Sequence, residues 1–539
     1  MRPTRDSNHQ NLLPSTRRVA VLLDLTLLAF FFWHAFYLLR SPLTYAPDDA
    51  LFYYQIGFNA SHGEGVRFND LTPTNGFHPL WLGVCTLLGF LCTTKLQLMT
   101  LGTLTVILLN GIAALMIRRF LRDECGDWLA SVGALLAVPY LFFVAHGMEG
   151  SLAAALFTTL LFAARDFIKS PKPAKFVACA ALCGLVVAAR LDLIFFVAPI
   201  ALLVAWKFRH AAHAPRWFFC ASAAGMAPVA TFLALNTAYF GDPRPISGIL
   251  KFAASQGVGS LFLLNGIVLT YLVLSLLGAL LALSRRTATS LVFVSAASGS
   301  VCFVLYLLAN NHAEIGAWYF TLFAVTGALG FAYSVDAVLS HGARLRPLFS
   351  KAIYTVAATA AIASAFLMVR YGNRGVLSTD IHQVSTGLAE SARRERIHRV
   401  FAFDRPGELA FLDGLSVVAA DGLTTNLPFQ KELAARGLDE FLDRYEIDAV
   451  VLPRIGSTYG PALCDQVYLS ALRFRCSRDD DAMSTGIRIV ELEVLSRLTG
   501  ASLGKLDLRN AQRIAFSPNR DLDVLLLDSR PASRAISAR

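Results

Sequence analysis

Stretches of apolar residues, most of them about twenty long or a little shorter and nearly free of charge, recur through the first two thirds of the chain. A backbone surrounded by lipid has to satisfy its hydrogen bonds within the segment, so such runs fold as α-helices. They are Val19–Leu39, Leu96–Ile117, Trp128–Ala145, Ser151–Phe167, Phe176–Ala189, Leu193–Trp206, Trp217–Ala238, Leu261–Leu283, Ser290–Leu308, Ala317–Val335 and Ala352–Met368. The pattern predicts a polytopic α-helical membrane protein with about eleven spans over residues 19–370. Of 539 residues, 55% are hydrophobic and only 16% charged, which excludes a soluble globular protein of this length.

The formal charge of +10 calls for no nucleic-acid partner. Much of it lies in short loops between apolar runs, where Lys and Arg mark the cytoplasmic side. Residues 1–18 form a basic N-terminus (Arg2, Arg5, Arg17, Arg18), and no small-residue cleavage site follows Val19–Leu39. That run is expected to be a retained signal anchor with its N-terminus in the cytoplasm.

One further run, Pro79–Cys92, sets the sidedness. At roughly 14 residues it is short for a span and is expected to lie in the interface or re-enter. Arg118, Arg119 and Arg122, then Lys169, Lys172 and Lys175, then Lys207, Arg209 and Arg216, then Arg285 and Arg286, and finally Arg344, Arg346 and Lys351 then all fall inside. The outer side receives Arg40–His78, His146–Gly150, Arg190–Asp192, Tyr239–Ser260 and Asn310–Gly316. Phe176–Trp206 reads as two short helices meeting at an outward turn, because a single helix breaks the charge alternation downstream.

After about Val369 charge rises and apolar runs shorten. Arg399–Phe403, Ser416–Ala420, Asp448–Leu452 and Arg488–Glu493 read as strands, with a helical pattern at Leu438–Tyr445. An extracytoplasmic α/β domain is expected over 371–528, followed by a disordered tail, 529–539. Seven of the nine cysteines lie in or beside membrane helices. Cys464 and Cys476 lie in the exported part, either as a disulfide or as two unrelated thiols.

The outer segments hold most of the membrane-proximal polar residues that have no evident structural duty. Asp48 and Asp49 are adjacent carboxylates just beyond the first span. They suit a general base, or a site for a divalent cation such as Mg or Mn; the plainer reading is a solvated loop in which Asp48 caps a helix beginning at Ala50. Tyr53, within Phe52-Tyr53-Tyr54, fits an interfacial belt or the wall of a sugar site. Asn75 and Gly76 make a tight turn, and His78 precedes the short helix begun by Pro79. Glu149 sits before a span, as a favourable anion at a helix N-terminus, an active-site acid or, with Asp49, a metal ligand. Arg190 is a substrate-site candidate, although it can simply pair with Asp192. Arg244 and Lys251 are suited to a lipid phosphate or to anionic headgroups. His312 and Glu314 are weaker candidates, and Asp24 is expected at the cytoplasmic interface.

In order and sidedness these elements resemble the GT-C glycosyltransferases. Asp48-Asp49 is similar to the Asp-Glu or Asp-Asp pair of protein O-mannosyltransferases and of lipid A aminoarabinose transferases, and His78-Pro79 is similar in position to their Lys/His-Pro-Pro element. The chain also resembles a group of bacterial membrane proteins in Asp48-Asp-Ala-Leu-Phe-Tyr-Tyr54, Thr74-Asn-Gly-Phe-His-Pro-Leu-Trp81, Gly147-Met-Glu149, Pro245-Ile-Ser-Gly248 with Lys251, and Asp421-Gly-Leu423.

The resemblance implies a bacterial inner-membrane enzyme that transfers a sugar, with inversion, from a polyprenyl-phosphate donor to an envelope glycan, lipid or protein. Asp48 would be the base, Asp49 a supporting acid or metal ligand, and Arg244 and Lys251 would stabilise the leaving phosphate. Asp49 departs from the Glu of the mannosyltransferase branch, so a mannose donor does not carry over. The alternatives are a transporter or flippase of lipid-linked sugars, a polysaccharide ligase or polymerase, and a membrane scaffold.

Overall fold

The computed structural model describes residues 14–40, 46–144, 147–211, 213–253, 266–310, 317–341, 397–402, 406–411, 415–420, 422–453, 467–468, 472–478, 487–496, 498–499, 501–507, 512–514 and 522–526. The expected span Ala352–Met368, residues 261–265, His312, Glu314, Asp421, Cys464 and the 529–539 tail lie outside them, as do the side chains of Lys251 and Cys476.

The apolar runs among the described residues fold as helices. They are α1 (Pro14–Arg40), α2 (Asp48–Ser61), α3 (Pro79–Gly89), α4 (Lys95–Cys125), α5 (Asp127–Val144), α6 (Gly150–Lys169), α7 (Pro173–Ala189), α8 (Ile194–Phe208), α9 (Ala214–Phe240), α10 (Ile246–Ala253), α11 (Gly266–Ala282), α12 (Ala288–Asn310) and α13 (Thr321–His341). Among the described residues, 7 helices are long and apolar enough to cross a membrane, with four shorter apolar ones beside them. At 1.5 Å per residue, the 11 residues of α3 reach only about half of a hydrocarbon core. The run α7–α8 breaks as expected, at Arg190 and a 3₁₀ turn, Leu191–Leu193.

At one end of the bundle, basic residues near helix ends pair with acids on neighbouring helices. Arg118 grips Asp24 through Nε and Nη2 at 2.8 and 2.7 Å, and Ser131 donates to the same carboxylate. Arg165 reaches Asp123 at 3.1 Å, and Lys175 and Arg285 each lie 2.6 Å from Asp166 and Asp336 respectively. Asp24 thus ties α1 to α4.

The C-terminal region contains strands β1 (Arg399–Ala402), β2 (Ser416–Ala419), β3 (Ala449–Pro453), β4 (Val467–Tyr468), β5 (Leu472–Arg478), β6 (Ile487–Leu495), β7 (Ser502–Asp507), β8 (Gln512–Ile514) and β9 (Leu522–Leu526). Its helices are α14 (Pro406–Ala410), α15 (Leu427–Arg436) and α16 (Leu438–Arg444). One sheet has the order β2-β1-β3-β9-β8, with β1 parallel to β2 and β3 and antiparallel pairing beyond. A second, antiparallel sheet, β4-β5-β6-β7, was not anticipated beyond β6.

Side chains alternate across a strand, and here the alternation divides two cores. Val400, Ala402, Val417, Ala449 and Val451 belong to the same apolar cluster as the helix bundle. Phe401, Val418 and Val450 face the opposite way, onto Phe429, Leu433 and Phe441 of α15 and α16. The sheet is therefore seated directly on the bundle.

Polar contacts fix the seat. Asn69 Nδ2 donates to Val417 O at 3.1 Å, Thr74 Oγ1 to Thr425 O at 2.8 Å, and Asn426 Nδ2 to Pro73 O at 2.7 Å. Arg399 pairs with Asp70 at 2.7 Å, and Lys95 Nζ donates to Ala410 O at 2.9 Å.

Candidate functional site

Helix α2 begins at Asp48, with Pro47 as its extended N-cap and no side-chain cap. The expectation that Asp48 caps a helix starting at Ala50 is corrected: both acids lie in the first turn, where the helix dipole favours negative charge. Consecutive helical residues point about 100° apart, so the two carboxylates diverge. Asp48 Oδ1 accepts the Glu408 N–H of α14 at 2.9 Å. A Cβ on Gly407 would collide with Asp48 O, which is why α14 carries glycine there. Burial first, then Glu408 and Asp49, push the Asp48 carboxyl well above the usual carboxylate range. Asp49 instead lines a cavity of about 280 Å³.

That cavity collects pieces of four of the segments expected on the outer side. Asp49, Phe52 and Tyr53 come from α2, Gly76, Phe77 and His78 from the turn before α3, and Met148 and Glu149 from the turn before α6. Arg190 and Asp192 come from the α7–α8 break, Arg244, Pro245, Ser247 and Gly248 from the entry to α10, and Trp318 and Tyr319 from the 3₁₀ turn before α13. Leu423 of the C-terminal region closes one wall. Gly76 is a close approach, since a Cβ there would strike the Leu423 carbonyl oxygen.

Glu149 is held at the floor. Trp81 Nε1 of α3 donates to Gly147 O at 3.0 Å and so fixes the turn that carries it. Arg190 Nη1 lies 3.5 Å from Glu149 Oε1, and His78 Nε2 lies 3.8 Å away. Glu149 Oε2 is buried without a hydrogen-bond partner among the described residues, and the side chain does not cap α6.

Arg190 is itself heavily committed. Nε and Nη2 hold Asp192 at 2.8 and 3.0 Å, Nη1 donates to Trp318 O at 3.2 Å, and the Tyr319 ring centroid lies 3.6 Å from the guanidinium carbon. The expected Arg190–Asp192 pair is thus present within the site. Tyr53 accepts the His78 N–H at 3.2 Å. Burial, and after it the Glu149 carboxylate, push its phenol well above the usual range, so it stays protonated.

The two cations of the lining residues differ in depth. The Arg190 side chain is 3% exposed, whereas Arg244 at the rim is 60% exposed. Nε and Nη2 of Arg244 lie on Asp242 at 3.0 and 2.9 Å. Asn75, expected to bind substrate, is not among the lining residues; it donates to Arg244 O at 3.3 Å and accepts the Ile246 N–H at 3.2 Å. It positions the rim segment. Lys251 belongs to α10 by its backbone.

The apo structure of ArnT from Cupriavidus metallidurans matches with a TM-score of 0.51 and 14% identity, over 81% of this chain and 93% of that one. The chain has the GT-C fold. ArnT bound to undecaprenyl phosphate gives a TM-score of 0.49 at 14% identity, over 79% of this chain and 93% of that one. The oligosaccharyltransferase of Archaeoglobus fulgidus, in complex with zinc and sulfate, gives 0.45 at 14% identity over 75% of this chain, which spans 64% of that enzyme's length. No family model matches the sequence, and no curated protein matches it significantly.

Among the described residues the cavity lining is not arranged as a metal centre. Arg190 stands beside Glu149, one of the two expected ligands, and would repel a dication there. Among the described residues no group of three or more His, Cys, Asp or Glu is arranged for a metal. Sequence reasoning missed Trp318 and Tyr319, because aromatic residues at the mouth of a span read as an interfacial belt.

Proposed function

We propose that this chain is a membrane glycosyltransferase acting at the outer face of a bacterial inner membrane, with its N-terminus cytoplasmic and its C-terminal α/β region outside. It moves a sugar, with inversion, from a polyprenyl-phosphate donor to an envelope glycan, lipid or protein. The observation that carries this reading is the cavity itself: a carboxylate, an anion-favouring rim and aromatic walls meet at one end of a bundle of apolar helices.

Asp49 is the base in this reading, in place of Asp48, whose carboxylate is engaged by α14. The acceptor's O–H or N–H proton passes to Asp49 as the acceptor atom bonds to the anomeric carbon. The bond from that carbon to the phosphate oxygen breaks, and its electron pair leaves with the polyprenyl phosphate. Arg244 and the positive end of α10 receive the growing phosphate charge. This rim follows α9, whose apolar window is only 11% buried among the described residues, which suits a helix beside lipid and a lipid-carried phosphate. Phe52, Tyr53, Trp318 and Tyr319 offer apolar faces to the sugar ring. No step runs through a metal ion.

Removal of the gene is expected to abolish one envelope-glycan decoration and to raise the pool of its polyprenyl-phosphate sugar; wild-type protein restores both. Unchanged glycans and an unchanged lipid-linked pool would overturn the proposal.

A further inference from the structure

The floor of the cavity specifies the charge of the sugar. Glu149 is 1% exposed and lines the cavity beside the Tyr53 hydroxyl and His78, and its second oxygen makes no hydrogen bond within 3.5 Å among the described residues. A buried acceptor left in this state costs free energy that a donor from a ligand restores. The neighbouring charges sharpen the point. Asp49, Glu149 and Asp192 are acidic, while Arg190 has two nitrogens on Asp192, a third on Trp318 O, and one face under Tyr319. It has no fork to offer to a second carboxylate. Arg244 is at the exposed rim and already grips Asp242.

The cavity is thus polarised: a cation and a helix N-terminus at the mouth suit a phosphate, and hydrogen-bond acceptors at depth suit donors. We propose that the transferred sugar carries hydroxyl or amine groups and no carboxylate, and that Glu149 Oε2 accepts a hydrogen bond from it. This rests on the glycosyltransferase reading, to which it adds the class of sugar. A sugar acid would bring a second anion against a buried carboxylate where, among the described residues, Arg190 is already committed, Arg244 stands out at the rim and only His78 is close, an arrangement that rejects it more strongly than shape alone.

The test uses the full chain in detergent and farnesyl-phosphate-linked glucose, galactose, mannose, arabinose, glucosamine, glucuronate and galacturonate, with farnesyl phosphate as reference. Binding is read as the ligand-dependent shift in melting temperature. At least one neutral or amino sugar is expected to bind tighter than farnesyl phosphate, and neither uronate is. In Glu149→Gln the amide oxygen can stay on Arg190 while its NH₂ turns into the cavity, replacing an acceptor by a donor. The preference for neutral sugar over uronate should then narrow by about tenfold or more.

A uronate that binds wild-type protein as tightly as its neutral counterpart overturns the inference, whether or not the variant folds. So does an unchanged preference in a folded E149Q. If no sugar exceeds farnesyl phosphate, the transferase reading itself fails.

Discussion

Asp48 and Asp49 share one helical turn, yet Asp48 accepts a hydrogen bond from α14 while Asp49 lines the cavity. The desolvation and repulsion at Asp48 raise its titration above the ordinary carboxylate value, so the folded chain holds a proton that the unfolded chain releases. The stability tied to that proton is fully present below the ordinary value of about 3.9 and is lost as pH rises through the raised one. Asp48→Asn keeps an oxygen for the Glu408 N–H and removes the charge. Its melting temperature is therefore expected to match or exceed wild type at pH 7–8, with the difference shrinking as the pH is lowered; a variant less stable than wild type at pH 8 would contradict this. Arg190 tests the opposite case. Arg190→Ala strands Glu149 and Asp192 in a buried site and is expected to cost about 3–5 kcal/mol in denaturant unfolding. The sequence made the acid pair conspicuous, but which acid faces the cavity depends on Glu408, some 360 positions away, and no local pattern encodes that contact.

At the scale of elements, the turn before α3 and the turn after β2 meet so closely that Gly76 has no room for a side chain beneath Leu423. Gly76→Ala is expected to unseat the C-terminal sheet from the bundle, exposing it to limited proteolysis and abolishing complementation. Gly83→Ala serves as its control, since nothing lies within 4 Å of a Cβ there. Native-like protease resistance in G76A would contradict the packing. The spans were legible because hydrophobic period and length are strong signals, and the break at Arg190 followed from charge alternation. The strands β1, β2, β3 and β6 were legible as short apolar runs. Strand β5, with its Arg473 and Arg475 alternating against apolar neighbours, carries a period-two signal that its charge disguised.

For the molecule as a whole, charge pairing at one end of the bundle and the cavity at the other repeat the asymmetry of the loops. Cysteine placed at exposed Glu64, in a chain whose own cysteines are replaced, is expected to react with membrane-impermeant maleimide in intact cells. Cysteine at exposed Lys172 should react only after lysis. The reverse pattern would turn the molecule over in the membrane and remove the cavity from the outer face. Loop charge carries the expected sidedness; nothing local carries the role of the C-terminal region, because Leu423 reaches the cavity only through tertiary packing.

The most direct measurement compares Asp49→Asn and Asp48→Asn in the deletion strain, each expressed at wild-type level, by the amount of restored envelope glycan and the size of the lipid-linked sugar pool. Loss of a general base lowers rate by about 10²–10⁴-fold, so Asp49→Asn is expected to leave the glycan absent and the pool raised, while Asp48→Asn restores both. Restoration by Asp49→Asn, or failure of Asp48→Asn alone, would contradict the account.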